Sequence, residues 1–289
     1  MARFVPNVAP RAGRMIAGAA LYLCVAGGAH SAALAQTPGD AGAAWITDLH
    51  SAVALVGGAR HDGVLLDGLV IRLDPGWKTY WRTPGDSGVP PRLDFSGSDN
   101  VATVTVLWPA PKAFPDGAGG TSFGYKDEVV LPLRIVAKQP DSPVTLRAQI
   151  NYAVCDKLCL PVEARTELTS ATPAAPGNPA VDAALAHVPQ PASIGGSEGF
   201  GIRAVKRDGK IVTVEVAAPR GGTVDLFVEG PTPEWALPAP TLRDTAPDGL
   251  RRFSFELDGL PPDARPEGAT LKLTLAGGGR AYEYDATLD

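Results

Sequence analysis

Two cysteines four positions apart, Cys155 and Cys159, lie within Asn151-Tyr-Ala-Val-Cys-Asp-Lys-Leu-Cys-Leu-Pro-Val-Glu-Ala164. Thiols this close can exchange with a partner's disulfide, close a structural bridge, or hold a soft ion such as Cu(I). On one side Leu146, Ala148, Ile150, Tyr152 and Val154 share a phase, with Arg147, Gln149 and Asn151 on the other. On the far side Leu160, Val162, Ala164 and Leu168 share a phase, opposed by Glu163, Arg165 and Glu167. Period-two alternation of this kind predicts two strands with one buried and one wet face. Continuing the phases puts both cysteines on the polar side. Asp156-Lys157-Leu158 then predicts a hairpin turn that sets them opposite each other, within disulfide reach.

Spacing alone leaves the three chemistries open. Chain entropy gives a ring this short roughly 2 kcal/mol, against more than about 4 for a loop near 100 residues, so a staple would do more elsewhere. Lys157 favours a thiolate and Asp156 opposes one. Of the four histidines, His50, His61 and His187 lie beyond the N-terminal segment, and none is spaced with the cysteines in a zinc pattern. The metal alternative is therefore Cu(I) held between Cys155 and Cys159. No cofactor is expected.

The third cysteine, Cys24, belongs to a different segment. Residues 1–35 carry Arg3, Arg11 and Arg14 and no acid, then an apolar run from Met15 to about Gly28 and Ala33-Leu34-Ala35. A basic start, a short apolar run and an A-x-A site predict a signal peptide cleaved after Ala35 and an exported protein. The run is too short and too rich in Gly and Ala for a span. Leu23, before Cys24, is not the small residue a lipoprotein signal needs. Cleavage removes three of the 26 basic residues and leaves 23 against 31 acidic ones, a formal charge of −8 in place of −5. An acidic chain without a basic stripe argues against nucleic-acid binding. No later segment is apolar for long enough to anchor the chain in a membrane.

The elements that must position the pair read as β. Of the 289 residues 45% are hydrophobic and 20% charged, enough for a core, and 33 Gly with 28 Pro predict many turns. Val64–Leu73, Val101–Trp108, Val129–Ala137, Leu146–Val154 and Leu160–Leu168 predict strands of a sandwich or barrel. Residues 171–197 turn to Ala, Pro, Gly, Ser and Asn and predict a linker, with Ala180–His187 its only candidate helix. Beyond it, Val212/Val214/Val216, Phe253/Phe255/Leu257, Leu271/Leu273/Leu275 and Tyr282/Tyr284 alternate with polar residues. Six or seven such strands suit a sandwich of immunoglobulin size, with a structural or docking role.

Several ordered motifs carry a family resemblance. Pro75-Gly-Trp-Lys-Thr-Tyr-Trp-Arg-Thr-Pro-Gly-Asp-Ser-Gly88, Trp108-Pro-Ala-Pro111, Phe123-Gly-Tyr125, Val129-Val-Leu-Pro-Leu133 and Tyr152-x-x-Cys155-x-x-x-Cys159-Leu-Pro161 resemble the N-terminal periplasmic domain of DsbD-type disulfide reductases, in the ScsB-like branch. The resemblance spans roughly residues 45–170. It implies an immunoglobulin-like domain that takes electrons from a membrane-embedded partner and reduces periplasmic thioredoxin-like proteins. It also implies that Cys159 makes the mixed disulfide and Cys155 resolves it. DsbD itself has five residues between its cysteines, where this chain has three, and an acidic, aromatic cap loop. The corresponding stretch here, Phe114 to Tyr125, is glycine-rich, with Phe123 and Tyr125 as candidate shields and Asp116 as a candidate for proton management. The family's transmembrane and thioredoxin-like domains have no counterpart in this sequence, so the donor and the client are expected to be separate proteins.

The expected architecture is all-β: a signal peptide over 1–35, an immunoglobulin-like redox domain over 36–170, a Pro/Ala-rich linker over 171–197 and a second immunoglobulin-like β-sandwich over 198–289. The expected function is periplasmic thiol–disulfide interchange, the alternatives being a copper-handling protein and a non-catalytic adaptor with a structural disulfide. Weaker motifs add little. Trp77, Tyr80 and Trp81 would suit a sugar platform but are more often core or partner surface. Gly117–Gly120 lacks the Gly-Lys-Ser/Thr of a phosphate loop. His61 and Asp62 have no triad partner, and Asp86 reads as part of a turn.

Overall fold

The computed structural model describes residues 1–2, 43–117, 119–170, 177–196 and 199–289. Residues 3–35 of the expected signal peptide, with its expected cleavage site after Ala35 and Cys24, lie outside the described residues, as do 171–176 and 197 of the expected linker and residue 198 of the expected second sandwich.

Eleven strands precede residue 171 among the described residues: β1 (Ile46–Asp48), β2 (Ser51–His61), β3 (Val64–Leu73), β4 (Lys78–Gly85), β5 (Arg92–Asp94), β6 (Val101–Val106), β7 (Lys112–Pro115), β8 (Thr121–Lys126), β9 (Glu128–Ala137), β10 (Val144–Cys155) and β11 (Cys159–Ser170). They form two sheets, ordered β1-β2-β3-β9-β6 and β11-β10-β4-β8-β7, with β5 added to β10. Asp62 and Gly63 both have positive φ, 48° and 75°, and make the two-residue turn between β2 and β3 that an Asp-Gly pair favours. Val53, Leu55, Leu69, Leu131 and Leu133 of one sheet meet Trp81, Phe123, Leu146, Ile150 and Val154 of the other. The all-β reading holds, and alternation in sequence becomes one buried face per strand.

The helix α1 (Pro179–Leu185) begins at an Asn178 cap whose side chain accepts from Ala180 N–H. Its Val181 is fully buried against Val56, Val70 and Val130, so α1 covers the outer face of the first sheet. Eight strands follow: β12 (Gln190–Pro191), β13 (Gly201–Asp208), β14 (Ile211–Ala217), β15 (Asp225–Glu229), β16 (Thr241–Thr245), β17 (Arg251–Glu256), β18 (Thr270–Gly277) and β19 (Arg280–Thr287). Their sheets, β12-β19-β18-β15 and β13-β14-β17-β16, enclose a second core built on Ile202, Val214, Phe253, Leu271, Leu273 and Leu275.

The described residues from 43 onward belong to one compact unit. Along β15, Leu226 and Val228 face the second core, but Phe227 between them is fully buried in the first. Its ring lies 4.8 Å from Phe123, edge-on, and 5.7 Å from Trp81. Beside this knob the Arg82 guanidinium donates to Glu229 at 2.6 and 2.9 Å and to Glu283 at 2.8 Å, and the Thr83 hydroxyl donates to Glu229 at 2.8 Å.

One buried acid bears on stability. The β2 register slips between Val56 and Ala59, and the Gly58 N–H that leaves the ladder is taken by Asp67 Oδ1 at 3.0 Å. A Cβ at Gly58 would stand 1.7 Å from the Leu66 carbonyl oxygen, so only glycine allows this approach. Burial pushes the Asp67 carboxyl above its usual range, against the opposing pull of Gly58 N–H, the Ser170 hydroxyl and Arg60. A carboxyl whose pKa rises on folding favours the native state below its unfolded pKa of about 4, and that contribution is lost as pH rises through the folded value. Asn at this position keeps an acceptor for Gly58 without a charge. Asp67→Asn should therefore melt at or above the wild type at pH 7, with the gap narrowing as pH falls towards about 4. Melting curves across that range check this.

Candidate functional site

β10 and β11 pair in unbroken register from Val144 opposite Ser170 to Cys155 opposite Cys159, and Asp156-Lys157-Leu158 forms the turn. The cysteine Cα atoms are 4.2 Å apart and the sulfurs are joined as a disulfide. The two are not equivalent. Cys159 is exposed, whereas Cys155 is 1% exposed although its phase places it on the outer face of β10.

The cover comes from β4. Tyr80, 5% exposed, packs with Ala153 and Cys155, and its hydroxyl donates to Cys155 Sγ at 3.0 Å. The same oxygen lies 3.3 Å from Cys159 Sγ. Burial pushes the Tyr80 phenol pKa up, so the hydroxyl stays protonated and remains a donor through neutral pH. Thr79 Oγ1 donates to the Ala153 carbonyl at 2.9 Å and ties β4 to β10 beside the pair.

Lys78 is the register partner of Cys155. Its ammonium donates to Ser122 Oγ at 2.7 Å and sits 5.9 Å from the centre of the Tyr80 ring. Burial, then the neighbouring Lys126, lowers the Lys78 pKa, with Asp116 acting the other way. A cation on the face that carries the sulfurs favours negative charge developing there.

Phe123 and Tyr125 do not shield the disulfide. In the β4–β8–β10 register Tyr125 stands level with Thr79 and Val154, facing the core beside Trp81; Ser122, Gly124 and Lys126 share the face of Lys78 and Tyr80. Phe123 packs on Phe227, and the Tyr125 hydroxyl donates to the Pro109 carbonyl at 2.7 Å. Asp116 accepts from Gly120 N–H and from Ser87 Oγ at 2.9 Å each, and so anchors loops. The sugar-platform trio also separates: Trp77 stacks on His50 at 3.8 Å, Tyr80 covers Cys155 and Trp81 is buried in the core. Asp86 is more than a turn residue. Its Oδ2 accepts from Thr121 N–H and its Oδ1 from Ala239 N–H, both at 2.8 Å.

A groove of about 730 Å³ opens beside the exposed sulfur, lined by Val89, Pro90, Arg92, Asn151, Pro161 and Glu163. Among the described residues no three His, Cys, Asp or Glu side chains converge as a metal site, and no helix is long and apolar enough to cross a membrane. With both sulfurs in a disulfide, the pair presents no thiolate to a metal.

Residues 62–171 match the family described as thiol:disulfide interchange protein DsbD, N-terminal. Among solved structures, the N-terminal periplasmic domain of ScsB from Proteus mirabilis aligns with a TM-score of 0.65 at 24% identity, over 84% of this chain and 96% of that one. This likeness establishes the fold as that immunoglobulin-like type. A conserved domain protein from Bacillus anthracis aligns over 83% of this chain and 79% of its own at 11% identity, with a TM-score of 0.25. No curated protein sequence matches the chain.

Proposed function

We propose, from the match of residues 62–171 to the DsbD N-terminal family, that this chain is a periplasmic thiol–disulfide interchange protein that passes electron pairs through Cys155 and Cys159. The observation that carries the reading is the asymmetry of the pair: one sulfur is exposed beside a groove, and the other is buried under a hydroxyl that donates to it. A purely structural bridge needs neither feature.

In the inward step a donor thiolate attacks Cys159 Sγ. The Cys155–Cys159 bond breaks as the new S–S bond forms, and Cys155 leaves as a thiolate that accepts the Tyr80 hydrogen bond. A second donor thiolate then attacks its own sulfur in the mixed disulfide and frees Cys159. The donor ends oxidised, the pair has gained two electrons, and two protons are taken up by the thiols. In the outward step the Cys159 thiolate attacks a partner disulfide and expels one partner thiolate, and Cys155 attacks Cys159 Sγ to release the other. The partners in this reading are a membrane-embedded donor and periplasmic thioredoxin-like proteins.

Cys155→Ala should trap a mixed disulfide through Cys159 with an oxidised thioredoxin-fold protein, visible on non-reducing gels and mapped by mass spectrometry. Cys159→Ala should trap none. If neither variant forms an adduct and the oxidised pair resists reduction at about −300 mV or below, the bridge is structural.

A further inference from the structure

Six consecutive residues of β4 and the turn after it, 81–86, hold the second sandwich at four points. Trp81 packs on Phe227, Arg82 binds Glu229 and Glu283, Thr83 binds Glu229, and Asp86 accepts from Ala239 N–H in the segment between β15 and β16. The residues flanking that stretch belong to the disulfide's cover. Tyr80 lies on Cys155, and Gly88 lies on Tyr80 so closely that a Cβ there would stand 2.6 Å from the ring. The next residues, Val89 and Pro90, line the groove at Cys159. The loop that closes over the buried sulfur is therefore tied to the second sandwich by a side chain two positions away.

We propose that the second sandwich braces the redox site: by holding Asp86 and Arg82 it keeps the Pro84–Pro90 loop closed on Tyr80, so that an incoming thiol meets Cys159 and not Cys155. This gives the second sandwich a task in the proposed exchange and rests on that reading for its purpose, though the shielding itself is measurable without it. The logic is chemical. Attack on Cys155 would put the partner on the sulfur whose hydrogen-bond donor is arranged for a leaving group, and would leave Cys159 to expel it from the wrong side. A closed cover decides which sulfur reacts before the partner's own geometry acts.

Three full-length variants test the brace. Asp86→Ala removes the acceptor, Ala239→Pro removes the donor while leaving Asp86 itself in place, and Gly88→Ala pushes the loop off Tyr80 directly. Each protein is reduced with a phosphine and alkylated with iodoacetamide, and the rate at each cysteine is read by peptide mass spectrometry. The wild type should label at Cys159 far ahead of Cys155. All three variants should raise the Cys155 rate by about ten-fold or more and leave the Cys159 rate within about two-fold, since thiol reactivity follows access. Asp86→Asn, which keeps a carbonyl for Ala239, should recover most of the protection. The brace is overturned if Gly88→Ala exposes Cys155 while Asp86→Ala and Ala239→Pro do not, because the loop would then cover without being held. It is equally overturned if no variant exposes Cys155. An intact labelling pattern with no Cys155→Ala adduct would remove the exchange reading and leave the shielding. The reverse combination would remove the brace alone.

Discussion

Phe227→Ala should lower the free energy of unfolding by about 3–5 kcal/mol, the usual cost of emptying a fully buried aromatic site. The side chain enters the first core from β15, against Phe123 and Trp81. The loss should be larger in consequence than in kcal/mol. Once the ring is gone, the sandwiches are joined mainly by the polar contacts of Arg82 with Glu229 and Glu283, Thr83 with Glu229 and Asp86 with Ala239, which restore none of the lost apolar burial. A single cooperative transition should then separate into two, seen as different midpoints when tryptophan emission and far-ultraviolet dichroism follow the same urea titration. One coincident transition with a loss under about 1 kcal/mol would show that the ring is not what joins the two cores.

Tyr80→Phe should slow reduction of the Cys155–Cys159 disulfide by a thiol roughly 10–100-fold, because a hydrogen bond to a charged group contributes about 1.5–3 kcal/mol and here it goes to the departing thiolate. The phenyl ring still covers Cys155, so alkylation of that residue in the reduced protein should stay slow. Tyr80→Ala removes hydroxyl and ring together, and should speed Cys155 alkylation while leaving the hydrogen bond absent. The pair of variants separates leaving-group stabilisation from shielding. An unchanged reduction rate in Tyr80→Phe, measured by stopped flow at fixed thiol concentration, would confine the tyrosine to shielding.

The cysteine hairpin was legible because everything that sets it is local. Alternation on Leu146–Val154 and Leu160–Leu168 fixes two phases, and a three-residue turn between them leaves one register. What covers the outer face was not legible. A phase says which side of a sheet a residue takes, and Cys155 takes the expected side, but its cover, Tyr80, arrives from 75 residues away. Phe123 and Tyr125 show the same limit from the other direction. Their alternation with Ser122, Gly124 and Lys126 is plain in the sequence, yet only the pairing of β8 with β4 assigns the aromatic phase to the core. Leu226-Phe227-Val228 reads as a short apolar run, and such a run does not reveal that its neighbours face different cores. Asp86 could be read as part of a turn, but its second acceptor contact, Ala239, lies 153 residues downstream.

The misplacement of Phe227 relative to chain order has a practical side. The segment recognisable by likeness, 62–171, omits β2, whose Val53 and Leu55 line the first core, and stops well before the aromatic ring that closes it. A gene fragment cut to those bounds, or at the end of β11, would carry the cysteines and express a polypeptide with an open hole between Trp81 and Phe123 and an arginine stripped of its two carboxylates. Boundaries drawn from family likeness and boundaries drawn from cooperative folding are different lines on this chain. Work on the disulfide in isolation has to respect the second.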